Sequence, residues 1–180
     1  ILTEGGAKAG FELLDRTGLL QVLLPEISAM KGVEQSPDYH PEGDVFMHTM
    51  LTLSHLGSPT ETLAYGCLLH DVGKPVCIRR DEERLTFYGH TDKGAEMAEE
   101  VLKRLKRSRA TRERVAYLVR SHLRHMQAPQ MRLSTLKRFL GEDGIEELLE
   151  LTRIDALSAN GDLQDYQFCK QKLAELKEEG

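Results

Sequence analysis

His70-Asp71 closes an apolar run within Leu68-Leu69-His70-Asp71-Val72-Gly73-Lys74-Pro75. A neutral imidazole beside a carboxylate offers two ligands to a divalent ion. The apolar flanks bury the pair, which is costly unless an ion or another partner compensates. More ligand types lie on both sides: His48 upstream, then His90, His122 and Asp155 downstream. A single histidine is more often structural than a metal ligand; the set of six is what signals a metal. Imidazoles and carboxylates suit Mn²⁺, Fe²⁺, Ni²⁺, Co²⁺ or Zn²⁺. No thiolate is implicated, which disfavours a structural zinc site. Six ligands with a bridging carboxylate could hold two ions, which could clamp a phosphate and activate an attacking water.

The elements that must position these residues read almost entirely as helix. Helices are expected over Ala7–Thr17, over Leu19–Met30 with a break at Pro25, and over Val45–Leu56 with Asp44 as N-cap. The stretch from Gly32 to Gly43 reads as a loop. Thr60 caps a nearly all-apolar helix over Glu61–Val72, with Gly73 as its C-terminal glycine and Pro75 just beyond. Val76–Tyr88 is a weak candidate for a short β-hairpin. Thr91 or Asp92 then caps a helix to about Leu105, and Thr111 caps another to Leu123. Further helices run from Ser134 to Gly141, Ile145 to Ser158 and Asp165 to Glu178. The fold class expected is all-α, one helical bundle over residues 1–180. Helix bundles build metal sites from side chains on facing helices. Spacing alone does not choose between His48 and His55, seven residues on and on nearly the same face. His40 and His125 are read as surface or supporting residues.

Composition narrows the class further. The chain has 180 residues, 40% hydrophobic and 29% charged, as a soluble globular domain does. No apolar stretch is long enough to span a bilayer, and no signal peptide is visible. With Ile1 in place of Met, the expectation is a piece of a longer protein. Three cysteines without C-x-x-C spacing point to a reducing cytoplasm. The net charge of -5 argues against a protein that coats nucleic acid. Yet Lys103 to Arg138 carries twelve basic residues against one acid, Glu113. That is either a local phosphate site or a solvated helix face.

The order of an isolated His48, adjacent His70-Asp71 and distant Asp155 resembles the HD-domain phosphohydrolases. His90 and His122 match the extra histidines of two-metal members. Gly18-Leu19-Leu20, Leu24-Pro25-Glu26, His40-Pro41-Glu42-Gly43-Asp44-Val45-Phe46-Met47-His48-Thr49 and Phe87-Tyr88-Gly89-His90-Thr91-Asp92-Lys93-Gly94-Ala95 are similar to the HD domain of bacterial tRNA nucleotidyltransferases, the CCA-adding and poly(A)-polymerase-like enzymes. The resemblance runs from about Phe11 to Leu123 and weakens beyond. It implies a helical HD fold, one or two divalent ions (Mn, Fe, Ni, Co, Zn or Mg), and hydrolysis of phosphoesters. A 2',3'-cyclic phosphodiesterase or phosphatase acting on nucleotides or RNA ends is the activity implied, with tRNA as a partner. The other reading is a non-catalytic tRNA-binding module. No part of the chain reads as the Asp-x-Asp sheet of a nucleotide-adding head domain.

On this basis the metal ligands expected are His48, His70, Asp71, His90, His122 and Asp155. Asp162 and Asp165 compete with Asp155. Asp71 is the candidate to bridge ions and orient the nucleophilic water. Lys74 is a candidate catalytic and substrate-binding cation for a phosphate oxygen, and Arg124 a second substrate-binding one.

Overall fold

Asp44 and Thr60 start the two helices that carry His48 and lead into His70. In the computed structural model, which describes residues 1–80 and 85–179, α1 spans Ala7–Arg16, α2 Leu19–Leu23, α3 Pro25–Ser28, α4 Val45–Ser54 and α5 Glu61–Leu69. Asp44 Oδ1 accepts from Met47 N at 2.8 Å, a side-chain cap. Its other oxygen accepts from Gly32 N at 2.7 Å. One carboxylate thus starts α4 and closes the loop from 32 to 43. Thr60 Oγ1 caps α5 by accepting from Leu63 N at 3.1 Å.

After α5 come α6 (Lys74–Cys77), the strands β1 (Arg79–Arg80) and β2 (Leu85–Thr86), and α7 (His90–Arg104). Then follow α8 (Arg109–Ser121), a 3-10 segment (Arg124–Gln130), α9 (Leu133–Leu140), α10 (Ile145–Leu157) and α11 (Gln164–Glu179). The two strands pair antiparallel, Arg79 with Thr86 and Arg80 with Leu85. This is the short β-pair expected near 76–88; residues 81–84 lie outside the described residues. Among the described residues the architecture is all-α apart from that pair.

α5 is central. Leu63, Ala64, Cys67, Leu68 and Leu69 are buried, and the helix packs against α4, α8 and α10. A helix apolar on every side has to be enclosed. Gly66 makes the contact with α8 close: a Cβ there would stand 3.0 Å from Leu118 Cδ1. One continuous apolar core runs from Ala7 to Leu173.

Several local expectations are corrected. The break expected at Pro25 is not among them: α2 ends at Leu23 because the residue before the proline, Leu24, is held at φ -137°, outside helix. Ser108, not Thr111, caps α8, accepting from Thr111 N at 3.1 Å. α7 begins at His90 after Gly89 at φ +80°, so neither Thr91 nor Asp92 is its cap. α5 stops at Leu69, and Gly73 has φ -79°, so it is no left-handed helix cap. Glycine is required there for another reason: a Cβ would lie 2.2 Å from the His90 carbonyl oxygen. That close approach draws the start of α7 against the turn after α5.

Candidate metal centre

Five helices and their ends deliver six residues to one cluster. His48 comes from the middle of α4, His70 and Asp71 from the end of α5, His90 from the first residue of α7. His122 comes from the C-terminus of α8, and Asp155 from α10. His48 is fully buried, and His70, Asp71, His90 and His122 are buried. Asp155 is partly exposed at one side of the cluster.

The distances define two groups joined at Asp71. In the first, His48 Nε2 lies 3.3 Å from His70 Nε2 and 2.9 Å from Asp155 Oδ1. His70 Nε2 lies 3.4 Å from Asp71 Oδ2 and 3.6 Å from Asp155 Oδ1. In the second, Asp71 Oδ1 lies 3.6 Å from His90 Nε2 and 3.8 Å from His122 Nε2. Each of the triads His48-His70-Asp71 and Asp71-His90-His122 keeps its ligand atoms within 4.8 Å of one another.

The opposite ring nitrogens set which atoms face inward. His70 Nδ1 donates to Cys67 O at 2.9 Å, His90 Nδ1 to Phe87 O at 2.8 Å, and His122 Nδ1 to Val119 O at 2.7 Å. A carbonyl only accepts, so Nδ1 carries the hydrogen in each. In the neutral ring Nε2 is then a bare lone pair. Burial, reinforced for His122 by the neighbouring His70, holds His122 down to about 4, and burial also lowers His90. Both rings are neutral near pH 7.

This arrangement fits a cation. Asp71 Oδ1 and His90 Nε2 are buried, face each other, and have no hydrogen-bond partner. Both are acceptors. Two buried acceptors without a donor between them carry an uncompensated desolvation penalty, which a metal ion removes. Carbonyl-anchored imidazoles are also how metal-binding histidines are commonly oriented. Asp71 stays ionised despite burial, because Lys74 and His70 hold it well below the usual carboxylate range.

His48 differs. Burial alone would lower its pKa, but Asp155 on Nε2 and Glu42 on Nδ1 outweigh that and push it up to about 10. Without an ion, His48 is an imidazolium between two carboxylates. Glu42 Oε1 stands 2.5 Å from His48 Nδ1 and also 2.9 Å from His40 Nδ1. Sequence reasoning missed Glu42, because a loop without periodicity gives no facing pattern.

The other candidates separate clearly. His55 is exposed at the C-cap of α4, so the choice left open by spacing falls to His48. Asp162 accepts from Gln164 N at 3.0 Å, ahead of α11, while Asp155 reaches the cluster. Lys74 is buried beside it, with Nζ donating to Asp71 Oδ2 at 2.7 Å and to Gln35 Oε1 at 2.6 Å. Arg124 is engaged elsewhere: its two outer nitrogens donate to Glu142 at 2.7 and 2.8 Å, and it lies 4.5 Å over the Phe139 ring. The basic stretch is not a bare cationic face. Arg104 pairs with Glu26, Arg107 with Glu61, Arg109 with Glu113, Arg114 with Asp143 and Arg120 with Asp92. Most of these acids are distant in sequence, which is why the charge count missed them. A cavity of about 780 Å³ between the start of α10 and α11 contains none of the cluster.

Comparison with known proteins gives the family of the chain. The family model for the HD domain matches residues 44–160. A second model, described as a probable RNA and SrmB-binding site of polymerase A, matches residues 1–31. The chain is 36% identical over 137 residues to a multifunctional CCA protein of Halorhodospira halophila, covering 75% of this chain and 32% of that protein. It is 36% identical to the CC-adding tRNA nucleotidyltransferase of Thermus thermophilus and 33% identical to the A-adding enzyme of Deinococcus radiodurans. Each of these matches covers 169 residues, 89% of this chain and 38% of the relative. The chain therefore spans about a third of the length of these relatives. No helix among the described residues is long and apolar enough to cross a membrane. The match across 44–160, over the segment that carries all six converging residues, places this chain in the HD domain family.

Proposed function

We propose that this chain is the HD part of a tRNA-associated protein and carries its own divalent-metal site for hydrolysis of phosphoesters at RNA ends. The observation that carries the hydrolytic half is the pair of buried, unpartnered acceptors, Asp71 Oδ1 and His90 Nε2. The tRNA half is supported by the relatives named above and by the RNA-binding match over residues 1–31. We take residues 1–180 as one unit, because the apolar core joins the two matched segments.

His48, His70, Asp71 and Asp155 would hold one ion, and Asp71, His90 and His122 a second. Such ions supply Lewis-acid polarisation of a phosphoryl oxygen and acidify an attacking water. The chain's residues do the rest. Carbonyls at Cys67, Phe87 and Val119 lock three imidazoles in the correct tautomer. Asp71, shared by both triads, fixes their separation. Lys74 adds a buried positive charge next to Asp71, where an anionic substrate gains most from it. A 2',3'-cyclic phosphodiester is the substrate class proposed, with phosphomonoesters second.

A second reading has its own support. The relatives are named for adding nucleotides, and the HD module could position tRNA without chemistry of its own. One experiment separates the two. The chain is stripped with a chelator and reloaded with Mn²⁺, Fe²⁺, Co²⁺, Ni²⁺, Zn²⁺ or Mg²⁺. Hydrolysis of 2',3'-cyclic AMP and of a generic phosphodiester is then followed, and tRNA binding is measured in parallel. Turnover that disappears in Asp71→Ala supports the hydrolase. Binding of tRNA with no turnover at any ion supports the positioning module.

A further inference from the structure

Gln35 lies in the loop between α3 and α4, and the ligand set above makes no use of it. Its side chain is nevertheless buried, 8% exposed. Oε1 accepts from Lys74 Nζ at 2.6 Å. An ammonium can only donate, so this bond fixes the amide with its oxygen toward Lys74 and its NH₂ group free. That Nε2 is buried and meets no acceptor. Lys74 in turn donates to Asp71 Oδ2 at 2.7 Å and stands 5.5 Å over the Phe87 ring. The chain Gln35–Lys74–Asp71 therefore ends on the carboxylate that both triads share.

We propose that Gln35 Nε2 and Lys74 Nζ together form a subsite for one oxygen of a phosphate group bound next to the metal centre. A buried amide hydrogen without an acceptor is unusual in a folded protein, and an incoming oxyanion satisfies it. Lys74 supplies charge as a point donor, and Gln35 supplies a directed bond. Both open positions are donors, so the ligand selected is an acceptor and an anion, not a cation. The inference rests on the proposed hydrolytic reading and deepens it. It names the substrate group held and a residue that holds it.

The test uses inorganic phosphate as probe and calorimetry as readout, so no turnover is needed. Metal-loaded parent, Gln35→Glu and Gln35→Met are compared, with metal content checked by elemental analysis. Gln35→Glu keeps an oxygen for Lys74 but loses the free donor. Gln35→Met loses both without adding charge. Unchanged metal content with phosphate affinity reduced roughly ten- to hundredfold in both variants is the expected result. If Gln35 only props Lys74, Gln35→Glu binds phosphate like the parent, and the inference is overturned while the hydrolytic reading stands. Parent-like binding by Gln35→Met overturns it as well. A parent that takes up no divalent ion removes the underlying reading and this inference with it.

Discussion

Replacing Asp71 by asparagine keeps the shape of the side chain and removes its charge. Asp71 and Lys74 are both buried, 2% and 7% exposed, and 2.7 Å apart. Leaving a buried ammonium without its carboxylate costs about 3–5 kcal/mol. Lys74 keeps Gln35 and could still donate to the new amide oxygen, so the low end, about 3 kcal/mol, applies. For a chain of this size that is a fall in Tm of about 6–12 °C in the metal-free state. The response to metal is the second half. An ion present at about 100 times its Kd stabilises the parent by about 2.7 kcal/mol, a rise of about 5–11 °C. Asp71 is the one ligand common to both triads, so Asp71→Asn should rise by no more than about 2 °C under the same conditions. The assay is thermal unfolding of both proteins with excess chelator and with a titrated divalent ion. A variant that melts lower but keeps the full rise would show that Asp71 serves Lys74 alone. A variant with parent-like melting in both conditions would refute the reasoning altogether.

Further outcomes follow from other parts of the site. His48 is protonated in the metal-free protein, since Asp155 and Glu42 push it up to about 10 against the opposing effect of burial. An ion must displace that proton, so calorimetry at pH 7 in buffers of different ionisation enthalpy should show about one proton released, with affinity rising about tenfold per pH unit from 6 to 8. Release of no proton contradicts this. Gly73→Ala would put a methyl 2.2 Å from the His90 carbonyl oxygen. It should lower stability by roughly 2 kcal/mol or more and halve metal content as His90 is displaced; full metal content would count against the two-group description. Arg124→Ala removes the paired guanidinium on Glu142, a contact more than a third exposed on the arginine side. Solvent screening limits the loss to about 1 kcal/mol, and metal and phosphate binding should not change. A large fall in phosphate affinity would return Arg124 to the substrate site.

The cluster was legible in the sequence because its chemistry is carried by rare residue types. His70-Asp71 at the end of an apolar run announced a buried polar pair, and the all-apolar pattern of α5 placed it at the centre of the fold. Helix starts were readable where a side chain caps the backbone, as at Asp44 and Thr60. What remained hidden depends on contacts between segments far apart in the chain. His48 and His55 share a face by spacing, and only packing buries the first and exposes the second. Gly73 looked like a helix stop; its cause is the passage of α7, seen only once the two segments meet. The arginines of α7 and α8 suggested a phosphate surface because their partners, such as Glu26 for Arg104 and Asp143 for Arg114, come from other elements. Gln35 and Glu42 sit in a loop without a repeating pattern, so nothing local marked them.

A metal centre here requires four imidazoles and two carboxylates to turn their lone pairs toward a common cation site. The most direct measurement is a crystal structure of the metal-loaded chain with anomalous scattering recorded at the metal edge. Two peaks are predicted, one on each side of Asp71, the first within bonding distance of His48, His70 and Asp155 and the second of His90 and His122. An empty cluster in protein soaked with divalent ions, or a peak bound only by surface acids such as Glu142 and Asp143, would contradict it.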